Sequence, residues 1–276
     1  GHVPGWGEPR VFPHVVDFLR GVLRWPALWN SHFSPFLLVL PLAVLAWWLQ
    51  DQLSHPIAEL AFSSTLLLLC LGPRDLADDI QRWADAKAAG DETAAERAWR
   101  GLMHGPQPDP SHRTVLGALF IQSHERLFGV LLWFFVLGPA GAVLYRLASR
   151  LPRILHYAQT DPAAPTAALH TSEALHGLLA WLPARATAVL YGLAGSLDDA
   201  LQTWRKLAIE PHEWRSHTWA ILGEVPSASL RMEEPGGAAV VLESLRASLD
   251  EVARMQFRAL IVLLAFFAIF TTGSIA

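Results

Sequence analysis

Residues Gln122–Arg146 read QSHERLFGVLLWFFVLGPAGAVLYR, and this stretch decides the fold class. Its central block, Leu127–Leu144, contains no charged residue. As an α-helix rising about 1.5 Å per residue, the block reaches roughly 27 Å, close to the thickness of the hydrocarbon core of a bilayer. Polar residues stand at both of its ends. The stretch therefore predicts a membrane segment over residues 127–146 and makes the chain a membrane protein.

The composition of the whole chain agrees with a membrane location. Hydrophobic residues make up 52% of the 276 residues and charged residues only 17%, which is too apolar for an ordinary soluble domain. Several tryptophans flank apolar runs, where the indole ring prefers the headgroup level, although packing in an ordinary core is the alternative. These are Trp25, Trp29, Trp47 and Trp48. The net charge of −4 gives no broad basic surface, which argues against nucleic acid as a partner.

Two apolar runs nearer the N-terminus predict a helical hairpin in the membrane over residues 33–72. Phe33–Gln50 and Pro56–Leu71 each approach the length of a span, and only residues 51–55 separate them. This connector has no Lys or Arg, whereas both flanks of the hairpin are basic. By the positive-inside rule the tip faces outward and the flanks face the cytoplasm. The flanking basic residues are Arg10, Arg20, Arg24, Arg74, Arg82 and Lys87.

Residues 73–113 are predicted to form a cytoplasmic pair of helices followed by a connector. Charges of both signs accompany apolar residues at helical spacing, as expected for amphipathic helices. Gly90 supplies a helix stop and Asp91 an N-cap candidate for the second helix. The stretch His104–Ser111 is rich in turn-forming residues and leads into the third membrane segment.

The third segment raises a conflict with the charge rule. If Leu127–Leu144 crossed the membrane once, in the outward direction, Arg150 and Arg153 would be exported. One resolution is a full span with a few misplaced arginines, which we favour because the rule is a statistical bias. The other is a break at Gly138–Pro139 that makes the segment re-entrant or partial.

The remaining segments differ in how well they suit a bilayer. Residues 174–195 have the length of a span but contain Pro183 and Arg185, and an arginine at mid-membrane costs at least about 2.5 kcal/mol. We therefore expect a broken or interfacial helix there. Residues 196–256 are predicted to be mostly soluble, and the uncharged residues 259–276 to form a C-terminal span.

These segments together predict one all-α, polytopic membrane domain over residues 1–276. It would contain about four transmembrane helices together with amphipathic and interfacial helices. Residue 1 is Gly rather than Met, so we expect a processed, trimmed or truncated chain. The single cysteine, Cys70, lies in an apolar run and is predicted to pack rather than to react.

A series of motifs follows the segments in order along the chain. They are Leu71–Leu76 (LGPRDL), Ala88–Asp91 (AAGD), Phe128–Phe134 (FGVLLWF), Leu137–Arg146 (LGPAGAVLYR) and Trp181–Arg185 (WLPAR). In this order they resemble the AmpE family, within the CobD/CbiB cobalamin-biosynthesis superfamily, over nearly the whole chain from about Trp25. The resemblance implies a multi-pass protein of the bacterial inner membrane. It also implies a regulatory or sensory role in β-lactamase induction and cell-wall status signalling.

The cobalamin enzymes of the superfamily supply the alternative reading, an amide-forming synthase of the adenosylcobinamide-phosphate type. The pair Arg74–Asp75 matches the Gly-Arg-Asp motif of these enzymes, and Gly141–Arg146 matches their Gly-Ala…Tyr-Arg motif. In the motif between them Glu125 keeps the acid, but Arg126 stands where Asn is expected and Phe128 where Asp is expected. An apolar ring removes a candidate metal or general-base ligand, which favours the regulatory reading.

The candidate binding site is a polar cleft, and no catalytic residue or metal ligand is assigned. Its predicted members are Arg74, Asp75, His124, Glu125, Tyr145, Arg146 and Arg185. Arg74 and Asp75 either hold an anionic ligand or serve as a headgroup contact and a helix cap. The groups around Glu125 and Tyr145 either line the cleft or anchor the segment at the interface. Arg185, inside an apolar block, is a functional candidate by default, with Glu125 or Asp75 as its plausible partner.

The expected partners follow from the membrane location and from the resemblance. They are the lipid bilayer and either a cell-wall-derived ligand or a regulatory membrane protein, without nucleic acid. No cofactor is expected for the regulatory protein, whereas the synthase alternative implies ATP and a divalent metal. A purely structural membrane scaffold would be favoured if Arg74, Glu125 and Arg185 faced lipid headgroups and never met.

Overall fold

The structure is a computed structural model that describes residues 31–71, 76–102, 112–157, 166–209, 213–230 and 242–273. Every regular element in these ranges is helical, so the predicted all-α class is confirmed. The helices are α1 (Ser34–Asp51), α2 (Pro56–Leu71), α3 (Leu76–Ala88), α4 (Glu92–Leu102), α5 (His112–Ser123), a π-helical turn (His124–Phe128), α6 (Gly129–Tyr157), α7 (Ala167–Ala194), α8 (Leu197–Ile209), α9 (Trp214–Ser229) and α10 (Leu242–Gly273).

Among the described residues, 4 helical stretches are long and apolar enough to cross a membrane. They are Ser34–Asp51, Val115–His156, Ala167–Ala194 and Ser248–Phe270, and Pro56–Leu71 is a shorter apolar helix. Large apolar side chains are exposed on these helices, as expected where lipid replaces water around the protein. The chain is thus a multi-pass membrane protein.

The chain divides into two compact units. The first comprises residues 1–74 and 125–180, and the second comprises residues 75–124 and 181–276. Helix α7 contributes its N-terminal part to the first unit and its C-terminal part to the second.

The first unit is built around helix α6, against which both α1 and α2 pack. Its buried core contains apolar side chains from α1, α6 and the beginning of α7 that pack against one another. The core residues are Leu38, Val39, Leu151, Leu155, Ala168 and Leu169. Helices α1 and α2 occupy the predicted membrane hairpin over residues 33–72.

Helix α6 is bent back on itself at Gly138. This glycine has φ +63° and ψ −153°, a backbone conformation that side-chain-bearing residues rarely adopt, and Pro139 follows it. A Cβ built on Gly141 would overlap the carbonyl oxygen of Trp133, and one built on Gly129 would overlap the ring of Tyr145. In a straight helix Gly129 and Tyr145 would stand about 24 Å apart along the axis. Residues 129–137 and 139–157 therefore form the two arms of a tight hairpin.

This reversal differs from the single full span that the sequence favoured for residues 127–146. The stretch Val115–His156 has 42 residues and would reach about 63 Å if it were straight, twice the hydrocarbon core. A Gly–Pro pair was identified as a potential break, and the structure places the break there. The hydropathy of the segment did not reveal that the chain turns back.

The hairpin also removes the conflict with the charge rule. Its tip lies beside the end of α1, since a Cβ on Gly138 would be 3.2 Å from Oε1 of Gln50. The other end of its second arm packs near the start of α1, where Leu151 and Leu155 meet Leu38. If the α1–α2 connector faces outward, as its charge pattern predicts, Arg150 and Arg153 return toward the cytoplasmic side.

Helix α7 runs without a break from Ala167 to Ala194. Of the two alternatives predicted for residues 174–195, the broken helix is therefore wrong, and the interfacial helix stays a prediction. Pro183 has no N–H to donate, so the carbonyl of Leu179 loses its partner within the helix. The indole Nε1 of Trp133 donates to that carbonyl at 2.9 Å. Because another helix satisfies the freed carbonyl, the proline is accommodated inside an apolar helix.

In the second unit, α3 and α4 form the predicted pair of helices. Gly90, at φ +70°, ends the first helix, and Asp91 caps the second by accepting from the backbone N–H of Ala94 at 2.9 Å. The predicted stop and N-cap are therefore confirmed. Trp83 and Trp99, both buried, pack with ring centroids 5.6 Å apart.

The remaining helices of the second unit bury small and apolar residues. Helices α8 and α9 pack on each other and on the end of α7 through a core of Ala188, Ala200, Leu207, Ile221 and Val225. Helix α9 also packs on α5, where Gly117 and Gly223 allow close backbone contact. Helix α10 begins at Leu242, and the apolar stretch predicted as the C-terminal span lies mostly within it.

Candidate functional site

Two members of the predicted cleft, Arg74 and Asp75, lie outside the described residues. Their assignment to an anion site or to a helix cap stays a prediction.

A polar cluster lies within the first unit: Glu125, Tyr145 and His176 are buried, and the half-buried Arg146 lies next to Tyr145 in the chain. Oε1 of Glu125 lies 3.5 Å from Nε2 of His176, and the two side chains are only 7% and 9% exposed. The rings of Tyr145 and His176 are 6.1 Å apart at an angle of 63°. The structure thus brings together three of the predicted residues and adds a histidine that the sequence reading missed.

The π-helical turn at His124–Phe128, which directly precedes the first arm, supplies Glu125 to this cluster. A π turn inserts one residue into an α-helix and so changes which side chains face inward, and such turns are frequent at functional sites. Here both Glu125 and Phe128 are buried, the latter with 0% exposure. The acid is therefore held in the protein interior instead of at the headgroup level.

The second arm supplies Tyr145 and Arg146. Tyr145 is completely buried and its ring occupies the space where a side chain on Gly129 would lie. The glycine is required because the two arms could not otherwise approach at this level. Arg146 follows immediately, and the charged groups that influence it are Arg150, Arg126 and Glu125.

Helix α7 supplies His176 from a position distant in sequence. Its imidazole is nine-tenths buried beside Glu125. Nothing in the local sequence marks it, because a histidine in an apolar helix is more often a core residue than a functional one. The sequence offered one indication of its importance, which is that His176 lies in the same apolar segment as Arg185.

His124 makes its contacts in the second unit. Its Nδ1 lies 2.9 Å from Oγ1 of Thr187, which in turn donates to the carbonyl oxygen of Pro183 at 2.8 Å. The neighbouring Ser123 hydroxyl lies 3.0 Å from the hydroxyl of Tyr191. These buried pairs satisfy polar groups inside an apolar environment. His124 therefore bonds to Thr187 in the second unit, whereas the polar cluster joins Glu125, Tyr145 and His176 in the first.

Arg185 is also accounted for within the second unit. Its Nη1 donates to the carbonyl oxygen of Trp181 at 2.9 Å, and its guanidinium lies 4.1 Å from the centroid of the Trp181 ring. This cation–π arrangement stabilises a charge at the edge of an apolar helix. In the described part of the chain, the contacts of this guanidinium are with its own helix, and the predicted pairing with Glu125 or Asp75 stays a prediction.

The polar cluster can hold a proton between an acid and a base and can bind a charged group. A carboxylate beside an imidazole exchanges a proton readily, and a guanidinium binds phosphate or carboxylate. Across the described ranges, no group of three or more His, Cys, Asp or Glu side chains is placed to hold a metal ion. The cluster offers one carboxylate and one imidazole beside a guanidinium, with Phe128 where a second acid is expected. This donor set does not fit a hard divalent cation, which prefers several oxygen ligands.

The fold and the cluster define an all-α multi-pass membrane protein with ionisable groups buried between its helices. A family profile described as regulatory signalling modulator protein AmpE matches residues 24–274. The chain belongs to this AmpE family, and the resemblance stated from its motifs is confirmed.

Curated relatives carry the name of the wider superfamily. The cobalamin biosynthesis protein CobD of Chromobacterium violaceum is 32% identical over 62% of this chain and 54% of its own length. CobD of Stutzerimonas stutzeri is 33% identical over 65% of this chain and 59% of its own length. The chain thus spans somewhat more than half the length of these relatives. No solved structure matches it significantly.

Proposed function

We propose that this protein acts in the bacterial inner membrane as a regulator or sensor in β-lactamase induction, responding to cell-wall status. The observation that carries the proposal is the family match over residues 24–274. The partners we propose are a cell-wall-derived ligand or a regulatory membrane protein, together with the surrounding bilayer.

The polar cluster gives this role a physical basis. A buried acid and histidine in contact respond to protonation or to a bound charge by changing how the surrounding helices pack, since an unmatched charge in an apolar interior is costly. Glu125, Tyr145 and His176 come from three different helical segments. A change at this cluster therefore acts on several helices of the first unit at once.

The test is an induction assay in a bacterium that lacks its own copy of the gene and carries an inducible β-lactamase. We expect the wild-type chain to restore a β-lactam-induced rise in β-lactamase activity, and Glu125→Gln and His176→Gln to reduce that rise several-fold. Glu213→Gln, an exposed acid outside the membrane helices, serves as the matched control. Equal induction with and without the wild-type chain would reject the proposal.

The second candidate is the amide-forming synthase, and the two CobD relatives favour it. It would require ATP and a divalent metal, for which the described members of the cluster offer one carboxylate and one imidazole. The discriminating experiment is complementation of a bacterium that requires cobalamin because its own synthase gene is deleted. Growth restored by this chain would establish the synthase activity. Failure of a well-expressed chain to restore growth would reject the synthase and keep the regulatory function as the proposal.

A further inference from the structure

We propose that α8 is an interfacial helix that lies on the surface of the bilayer, with a strip of apolar side chains at the boundary between headgroups and acyl chains. The strip consists of Leu197, Leu201, Trp204 and Ala208. The sequence alone predicted residues 196–256 to be mostly soluble, so this contact with lipid goes beyond the sequence-based expectation. It concerns the second unit and does not depend on the proposed regulatory function.

The chain turns sharply between α7 and α8. The hydroxyl of Ser196 accepts a hydrogen bond from the backbone N–H of Asp199 at 3.4 Å and so caps the new helix. A Cβ built on Gly192, in the last turn of α7, would lie 3.0 Å from the Cβ of Ala200. If α8 continued along the axis of α7, these two residues would be about 12 Å apart. Helix α8 therefore leaves the direction of α7 instead of extending it away from the membrane.

One face of α8 is buried against the rest of the second unit. Ala200 and Leu207 on this face pack with Ala188 of α7 and with Ile221 and Val225 of α9. These contacts hold the helix in a fixed rotation about its own axis. They therefore determine which of its other side chains face outward.

The apolar strip lies directly beside this buried face. At about 100° of rotation per residue, the four members of the strip fall within about 60° of one another around the helix. Leu197 and Leu201 are 42% and 43% exposed, Ala208 is exposed, and Trp204 is half-buried at the edge of the core. A helix that faced only water outside its buried face would carry polar side chains here.

Polar side chains occupy the remaining exposed surface of α8. They are Asp198, Gln202, Arg205 and Lys206. Arg205 lies about 40° from Leu201 around the helix and so borders the strip. An arginine in this position places its guanidinium among the headgroups while its apolar stem stays against the acyl chains. Division of the exposed surface into an apolar and a charged sector is typical of helices that lie in the bilayer surface.

The neighbouring surface of α7 indicates that lipid covers the strip. Leu182, Val189 and Leu193 lie at helical spacing on one side of α7, and all three are exposed. Because α7 is long and apolar enough to cross a membrane, we expect this row to face acyl chains. Leu197 follows four residues after Leu193, and its Cδ1 would lie 3.3 Å from a Cβ on Gly192. The exposed apolar surface of α7 thus continues onto α8, and the same lipid layer can cover both.

The experiment measures the surroundings of a nitroxide spin label on single-cysteine variants of the full chain, reconstituted in phospholipid vesicles. One label is placed at Leu201→Cys in the strip. The matched control is Gln202→Cys, an exposed position one residue further along the same helix. Power saturation in electron paramagnetic resonance compares collisions of each label with oxygen, which concentrates in the bilayer, and with a nickel chelate, which stays in water. We expect the label at 201 to collide mainly with oxygen and the label at 202 mainly with the chelate, with ratios several-fold apart.

The native cysteine requires its own control. Cys70 is replaced by Ala in all labelled variants. Its thiol is buried, so the background that retains Cys70 is used if Cys70→Ala does not fold. A label at Val189→Cys gives the reference for a side chain among acyl chains. Size-exclusion profiles confirm that each variant is folded before collisions are compared.

Three results would overturn the proposal. Collisions mainly with the chelate at both positions would mean that the strip faces water. Shielding of the label at 201 from both reagents would mean that another protein surface, such as a second copy of the chain, covers the strip. Collisions mainly with oxygen at both positions would mean that α8 lies within the acyl region instead of at its surface. None of these results depends on the outcome of the induction assay.

Discussion

At the scale of single residues, Gly129 is a position where one added atom would have a large effect. A Cβ there would overlap the ring of Tyr145, which is completely buried and has nowhere to move. Close packing of this kind makes overpacking as damaging as a cavity.

We therefore expect Gly129→Ala to destabilise the protein by about 1–3 kcal/mol. The measurement is thermal unfolding of the detergent-purified protein, followed by tryptophan fluorescence. The double variant Gly129→Ala/Tyr145→Leu should recover part of the loss, because a smaller side chain makes room for the new methyl group. Additive losses in the double variant would show that the two residues do not act on each other.

Asp91 illustrates how a single side chain makes stability depend on pH. Its carboxylate accepts from the hydroxyl of Thr93 at 2.7 Å and from the backbone N–H of Ala94 at 2.9 Å. These hydrogen bonds, that of Thr93 first, lower the pKa of Asp91 from its usual range. Since the pKa is lower in the folded than in the unfolded state, the cap stabilises α4 above the unfolded-state pKa of about 3.9.

That contribution is lost as the pH falls from about 4 through the lowered pKa of the folded state. We expect hydrogen exchange of the backbone amides in α4 to quicken over this range in the wild-type protein, after correction for the intrinsic effect of pH. In Asp91→Asn, which caps a helix without ionising, that dependence should be absent. An unchanged pH profile in the variant would contradict the role of the cap.

At the scale of elements, the accommodation of Pro183 depends on a contact between two helices. The indole of Trp133 takes the place of the missing backbone donor and satisfies the Leu179 carbonyl. A buried carbonyl without a donor costs about 1–3 kcal/mol.

We expect Trp133→Phe to lower stability by more than the loss of the indole's packing, since the carbonyl of Leu179 would be left without a donor. Adding Pro183→Ala restores a backbone N–H at position 183, so the double variant should regain about 1–3 kcal/mol. Thermal unfolding of the two single variants and the double variant measures this coupling. A coupling energy of zero would mean that the hydrogen bond is not what holds the proline in the helix.

The hairpin at Gly138 makes a prediction about topology. Because the stretch Val115–His156 reverses, both of its ends should lie on the same side of the membrane. Reporter fusions after Leu102 and after His156, made with alkaline phosphatase and with green fluorescent protein, should agree with each other. Opposite sides would exclude the hairpin and restore a single crossing.

At the scale of the whole molecule, the sequence predicted which segments enter the membrane better than how they are arranged there. Hydropathy depends on each segment alone, so the all-α class and about four spans followed from composition and apolar length. The break at Gly138 was visible as a Gly–Pro pair, but the direction of the chain after it depends on contacts between the arms. Sequence patterns do not report those contacts.

The candidate site was predictable to the same extent. Glu125, Tyr145 and Arg146 stood out because ionisable or amphipathic groups at the ends of an apolar block are conspicuous. His176 did not, since its role depends on α7 lying beside the hairpin. The continuous helix over Pro183 was missed for the same reason, because the donor that makes it tolerable comes from Trp133 on another helix.

The two arms of α6 are joined at Gly138 without a polar loop, and this bears on how the chain is made. During synthesis, transmembrane helices usually enter the membrane insertion machinery one after another, and hydrophilic loops separate them. Here nothing hydrophilic separates the arms, so we expect them to leave that machinery together, already folded against each other. Biogenesis of this protein would then depend on a lateral exit wide enough for a helix pair.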